Sequence, residues 1–121
     1  MLSRDADSIP HEDAAVRALL AECPCLQKHV DLSEHAHYIM NQVALLLRDA
    51  QLPESDANCI FKHLNRMAER DIDTQNLLVI SVLEVLGDSP QSIQRTREGL
   101  GNGPARFLFE RVLKGWVSDP R

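Results

Sequence analysis

The sequence predicts an all-α protein, a single domain of five to six helices packed around one buried central helix. Three observations carry this expectation. Apolar residues recur at i, i+3, i+4, i+7 in several stretches, which is the spacing of one helix face. Those stretches are separated by Pro, Gly and Asp breaks of a few residues. One of them, TQNLLVISVLEVLG (Thr74 to Gly87), is apolar nearly all round, interrupted from Leu77 to Leu86 only by Ser81 and Glu84. A helix of that kind must be covered on most sides. It falls well short of the ~20 apolar residues that span a bilayer. LLVISVLEV is also compatible with a strand alone, but it has no partner strand nearby, and an isolated strand cannot satisfy its backbone.

Each element follows from local chemistry. Pro10 suits the first turn of a helix, with Ser8 or Ile9 before it, and Val16, Leu19, Leu20 and Cys23 form its stripe. Pro24 ends that segment because it lacks an amide hydrogen and disfavours helix at the residue before it. After a connector, CLQKHVDL, Ser33 is expected to cap the next helix, whose stripe is Ala36, Ile39, Met40, Val43, Leu46 and Leu47. Pro53 opens a third helix carrying Ala57, Ile60, Phe61, Leu64, Met67 and Ala68 on one face. Asp71-Ile72-Asp73 reads as a polar turn, with Asp73 or Thr74 capping the central helix. Gly87 is expected to close that helix in left-handed conformation. Ser89 and Pro90 suit the cap and first position of a short helix through Ile93. LGNGP is a loop with Pro104 opening a last helix that buries Leu108, Phe109, Val112, Leu113 and Trp116. Helices paired in this way fit stacked HEAT-like hairpins or an orthogonal bundle, and no fixed sequence period chooses between them. Residues 1–121 form one domain, with 1–8 and 118–121 expected to fray.

Charge is divided unevenly along the chain. Residues 1–60 carry ten acids against four bases, a net −6, whereas residues 61–121 carry a net +1. Polyanion binders present a basic face, so direct nucleic-acid binding is disfavoured for the first half. An acidic surface keeps a protein soluble, and it also complements a basic protein partner. The start, MLSRDADSIPHED, has no apolar core of a secretory signal, which points to the cytosol. Three cysteines, Cys23, Cys25 and Cys59, are an odd number and are expected to remain thiols there.

Chemical motifs are sparse. Cys23, Cys25 and His29 invite a metal reading, but a structural zinc site takes four ligands, usually with C-x2-C pairs, and C-P-C supplies neither. His35 and His37, two positions apart, point away from each other on a helix. Glu84 would be a carboxylate in apolar surroundings with a general acid or base role, or else part of an exposed stripe with Ser81 and Asp88. The exposed stripe is favoured, because no histidine or second acid bears a motif relation to it. LGNGP has no Lys-Ser/Thr after it and is not a phosphate loop. Arg95, Arg97, Arg106, Arg111 and Lys114 alternate with Glu98 and Glu110 as a mixed solvated face. No metal, no cofactor and no enzymatic activity are expected.

TQNLLVISVLEVLGDSP followed by LGNGPARFLFERVLKGW resembles the C-terminal half of a family of small bacterial helical domains, the immunity proteins of polymorphic and contact-dependent toxin systems. The matching residues are Asn76, Leu77, Leu78, Leu83, Glu84, Leu86, Gly87 and Asp88, then Leu100, Gly101, Leu108, Phe109, Glu110 and Trp116. HAHYIMNQVALLLRD is similar to the family's second helix, less specifically. The resemblance covers about half the chain and implies a small acidic protein that binds and neutralises a cognate toxin domain. From the charge and the length of the apolar run, no direct nucleic-acid and no membrane partner is expected. The N-terminal half departs from the family's pattern and is where partner specificity is expected. The turn acids Asp49, Glu54, Asp56, Asp71 and Asp73 are the expected partner-binding residues. The alternatives are a non-catalytic helical adaptor for another protein and a small enzyme using Glu84.

Overall fold

The computed structural model describes residues 11–115 as an all-helical bundle of six helices, with no strand among the described residues. Helix α1 spans His11–Glu22 and is followed, across Cys23, by a 3-10 turn, Pro24–Lys28. Helix α2 spans Ala36–Arg48 and α3 spans Glu54–Met67. Helix α4 is composite, with an α segment Ile72–Leu78, a π segment Val79–Leu83 and a final turn Glu84–Leu86. Helix α5 spans Pro90–Leu100 and α6 spans Pro104–Leu113. Pro10, Trp116 and both expected frayed ends lie outside the described residues.

Helix α4 occupies the hub, as its composition predicts. Leu77, Leu78, Val79, Val82, Leu83 and Leu86 are buried. Helix α2 packs along its π segment and final turn, α1 along its first segment, and α6 against the π segment. Helix α3 carries the other side of the core through Ile60, Phe61, Leu64 and Met67 and packs on α5 and α6. The π segment changes the register expected for a regular helix. Its wider turn delays the rotation of the chain, so Ser81 turns inward while Ile80 and Glu84 face solvent. Ser81, Glu84 and Asp88 therefore do not form one exposed stripe.

Several ends depart from the sequence expectation. Ser33 does not cap α2: its amide and hydroxyl both turn back to Asp31 Oδ1, an Asx-type turn that competes with capping, and His35 occupies the cap position without a side-chain bond. Asp71, rather than Asp73 or Thr74, caps α4, accepting from the Thr74 amide at 2.8 Å and from its hydroxyl. Gly87 has φ −82° and does not adopt the left-handed conformation. What favours glycine there is space, since an added Cβ would stand 3.2 Å from Leu113 Cδ2. Ser89 does cap α5, but the helix continues past Ile93 to Leu100. Helix α6 fully buries Ala105 and Phe109, while Leu108, Val112 and Leu113 are only partly covered.

The cysteine expectation is also corrected. Cys23, at the end of α1, and Cys59, on α3, form a disulfide with Cα atoms 6.2 Å apart, leaving Cys25 as a thiol. An odd count rules out pairing every cysteine but not pairing two, and the packing of α1 on α3 brings distant positions within bridging range.

Candidate functional site

The five acids expected to recognise a partner do not have equivalent surroundings. Asp49 ends α2 and pairs with Arg48 at 2.9 Å, and Arg48 also reaches Asp88 at 3.0 Å. Asp71 is part of the fold: burial raises its carboxyl pKa, but the Thr74 amide and hydroxyl and the nearby His11 outweigh that and hold it below the ordinary value. Asp56 sits in the first turn of α3 beside Cys25, whose thiol is pushed up by burial and then by this carboxylate. Glu54 and Asp73 are exposed, and neither is in an ion pair among the described residues.

Glu54 also borders a cavity of about 350 Å³ between the end of α2, the α2–α3 turn, the start of α3 and α5. Its walls are apolar: Leu46, Leu47, Leu52, Ala57 and Phe61. Four polar side chains complete it, Glu54, Asn58, Arg95 and Glu98. The turn takes its shape from Ala50, whose φ of +53° closes α2, with the Gln51 amide bonding back to Leu46 O at 3.0 Å. Arg95 is the one cation of the lining. A terminal nitrogen donates to the Arg48 carbonyl, tying α5 to the end of α2, and its Nε is buried without an acceptor. Glu98 accepts only from Gln94, at 3.3 Å, among the described residues. The sequence places Glu54 at an acidic turn, but nothing in its spacing joins Glu54 to Glu98, which is 44 positions away on a helix the sequence ends at Ile93.

A second constellation escaped sequence reasoning. His37 on α2 lies with Nδ1 2.7 Å from Ser81 Oγ and Nε2 3.3 Å from Glu12 Oε2. A carboxylate can only accept, so Nε2 carries a proton toward Glu12, and in the neutral imidazole Nδ1 then accepts from the Ser81 hydroxyl. The order acid, imidazole, hydroxyl is that of a nucleophile chain. Its setting differs from a nucleophile's. Ser81 is only 5% exposed, lies in a helix whose neighbouring amides are used within the helix, and does not line the cavity above. No pair of backbone amides is left to stabilise an oxyanion there. Asn41 Nδ2 approaches the Ser81 carbonyl at 3.5 Å, so the π segment is bound to α2 at two points. Glu84, the expected alternative acid, is exposed to solvent and takes no part in this network.

A third polar cluster joins α1 to α3 beside the disulfide. Glu22 accepts from the buried His63 at 3.0 Å and from Arg66, and these bonds, that from His63 foremost, lower its pKa. With Cys23 bonded to Cys59, the Cys23, Cys25 and His29 set is not available as three free ligands. No group of three or more His, Cys, Asp or Glu among the described residues is arranged to hold a metal ion. No described helix is long and apolar enough to cross a membrane.

No family model matches the chain, and neither a curated protein nor a solved structure resembles it significantly.

Proposed function

We propose that the protein is an immunity protein, a non-catalytic inhibitor that binds a cognate bacterial toxin domain in the cytoplasm and occludes its active site through an acidic surface. The observation that carries this reading is the coincidence of the cavity with the acidic α2–α3 turn. A concave, mostly apolar surface with two carboxylates that are in no ion pair among the described residues suits recognition of a basic protein surface. It lies largely on the N-terminal half, where the resemblance to immunity proteins leaves the sequence free to vary. The turn is exposed but set by the rigid ends of α2 and α3, as recognition loops commonly are. In a reducing cytoplasm Cys23 and Cys59 would stand as adjacent thiols, with the packing of α1 on α3 carried by the apolar core. The enzymatic alternative has less support, because Ser81 is buried and Glu84 stands alone in solvent.

The test is genetic and biochemical together. The neighbouring gene should encode a large secreted protein with a divergent C-terminal domain. Expression of that domain should arrest growth, this protein should relieve the arrest, and the two should purify as a complex. Absence of both rescue and complex formation would overturn the proposal.

A further inference from the structure

We infer that the cavity between α2, α3 and α5 accepts a single basic side chain, arginine or lysine, protruding from the partner protein; this rests on the reading of the protein as an inhibitor of a protein partner. The dimensions fit one long side chain, since about 350 Å³ lies at the small end of ligand pockets. The wall chemistry divides in the same way as such a side chain. Leu46, Leu52, Ala57 and Phe61 offer an apolar surface for a methylene stem, and long cationic side chains bury their stems while keeping the charge in polar surroundings. Glu54 and Glu98 line the cavity from different helices and bring two carboxylates to its wall for the charged head, with the Asn58 amide beside them in the lining.

Other occupants fit less well. An anion would meet both carboxylates, against a single cation in the lining: Arg95 gives one terminal nitrogen to the Arg48 carbonyl and keeps a buried Nε without an acceptor, so one guanidinium faces two acids. A purely apolar knob would desolvate Glu54 and Glu98 without compensation, which is unfavourable for charged groups. A cation on an aliphatic stem covers the apolar wall and answers both acids. Arginine has the further advantage that its planar head can bridge two carboxylates and stack on an aromatic ring.

The experiment uses the full chain labelled with nitrogen-15 and n-butylguanidinium chloride as probe, with n-pentanoate as the anionic control. Saturable shifts confined to the amides of residues around Glu54, Asn58, Glu98 and Gly99 are expected with the guanidinium and not with the carboxylate. The double variant Glu54→Gln/Glu98→Gln should lose the response while keeping the wild-type spectrum elsewhere. Ala57→Leu should lose it too, because it fills the cavity and leaves both carboxylates in place. Diffuse shifts, equal response to both probes, or an unchanged response in both variants would overturn the inference. With the cognate toxin in hand, the double variant should weaken binding about tenfold, or about 1.4 kcal/mol. Full-strength binding by that variant would remove the cavity from the interface and leave the immunity reading standing. A localised probe response without any toxin partner would leave the site standing and remove the immunity reading.

Discussion

Asn65 and Gly103 hold the α5–α6 loop as a coupled pair, and replacing them singly and together should show it. Asn65, on α3, donates to the Leu100 carbonyl at 3.2 Å and accepts from the Ala105 amide at 2.9 Å. One side chain thus satisfies a carbonyl at the end of α5 and an amide at the start of α6. Gly103 lies against it: a Cβ there would come closer than 3.0 Å to Oδ1, Cγ and Nδ2 of Asn65. Asn65→Ala loses two hydrogen bonds worth about 1 kcal/mol each and leaves part-buried groups unpaired, a cost of about 2–3 kcal/mol. Gly103→Ala must displace the amide, losing the same bonds and adding overpacking, for about 3–4 kcal/mol. In the double variant the obstructing amide is gone. Its cost should stay near that of Asn65→Ala alone, plus about 0.5–1 kcal/mol for alanine in place of glycine at the cap, rather than reach the sum of about 6 kcal/mol. Urea unfolding of the four proteins, with unchanged slopes, measures this. Additive costs within about 0.5 kcal/mol would refute the pairing.

Three further outcomes are expected. Leu83→Ala removes a fully buried side chain from the hub helix and should cost ~2–5 kcal/mol; an unchanged urea midpoint would place Leu83 outside the core. Glu110 is held at a pKa of about 2, against 4.5 ordinarily, by hydrogen bonds from Arg97 and then Arg106. Its contribution is therefore complete above pH 4.5 and lost as pH falls through about 2. The side chain is 31% exposed, so solvent screening limits the effect to about 1 kcal/mol. The stability gap between wild type and Glu110→Gln should close over that window, and a pH-independent gap would count against the ion-pair network. Reduction of Cys23–Cys59, which joins positions 36 residues apart, should lower stability by about 3–4 kcal/mol on the loop-entropy account. In protein purified without reductant, peptide mapping should find those two cysteines linked and Cys25 alkylatable, and identical midpoints in oxidised and reduced protein would remove the bridge as a stabilising element.

Much of the fold was legible because it rests on local signals. The stripes of α2 and α3 are the buried faces, with Leu46 and Ala57 at their margins, and Pro24, Pro53, Pro90 and Pro104 mark where helices begin or break. What was not legible depends on long-range geometry. His63 reads as a polar gap beside the α3 stripe, yet it is buried because Glu22, 41 positions earlier, reaches its ring. Periodicity assumes a uniform turn, and the π segment breaks that assumption at Val79–Leu83. The length of α5 was hidden because its exposed face, Gln91, Gln94, Arg97 and Glu98, is strongly polar, and its inward face depends on the small residues Ser92, Thr96 and Gly99. Gly99 stands where a Cβ would strike the ring of Phe61, so close approach to α3, and not hydrophobicity, defines that helix.

The acids of the two turns flanking α3 show why charge alone locates a surface and not a site. Each turn carries aspartates near a helix start, and the sequence treats them alike. Asp71 is drawn into the backbone of α4 by the Thr74 amide and hydroxyl, so its charge is spent on capping and its replacement would cost stability before it altered recognition. Asp49 is similarly engaged by Arg48. Glu54 differs: Pro53 occupies the cap position without a side-chain bond, and the Glu54 carboxylate stands at the helix's positive end with no ion-pair partner among the described residues. The α2–α3 turn is closed by backbone bonds from Ala50 and Gln51 and needs no carboxylate to hold it. An acid that contributes to the fold only about 0.3–1 kcal/mol through the helix dipole, beside a cavity that the fold leaves open, is the part of this surface on which selection for a partner can act at small cost to folding.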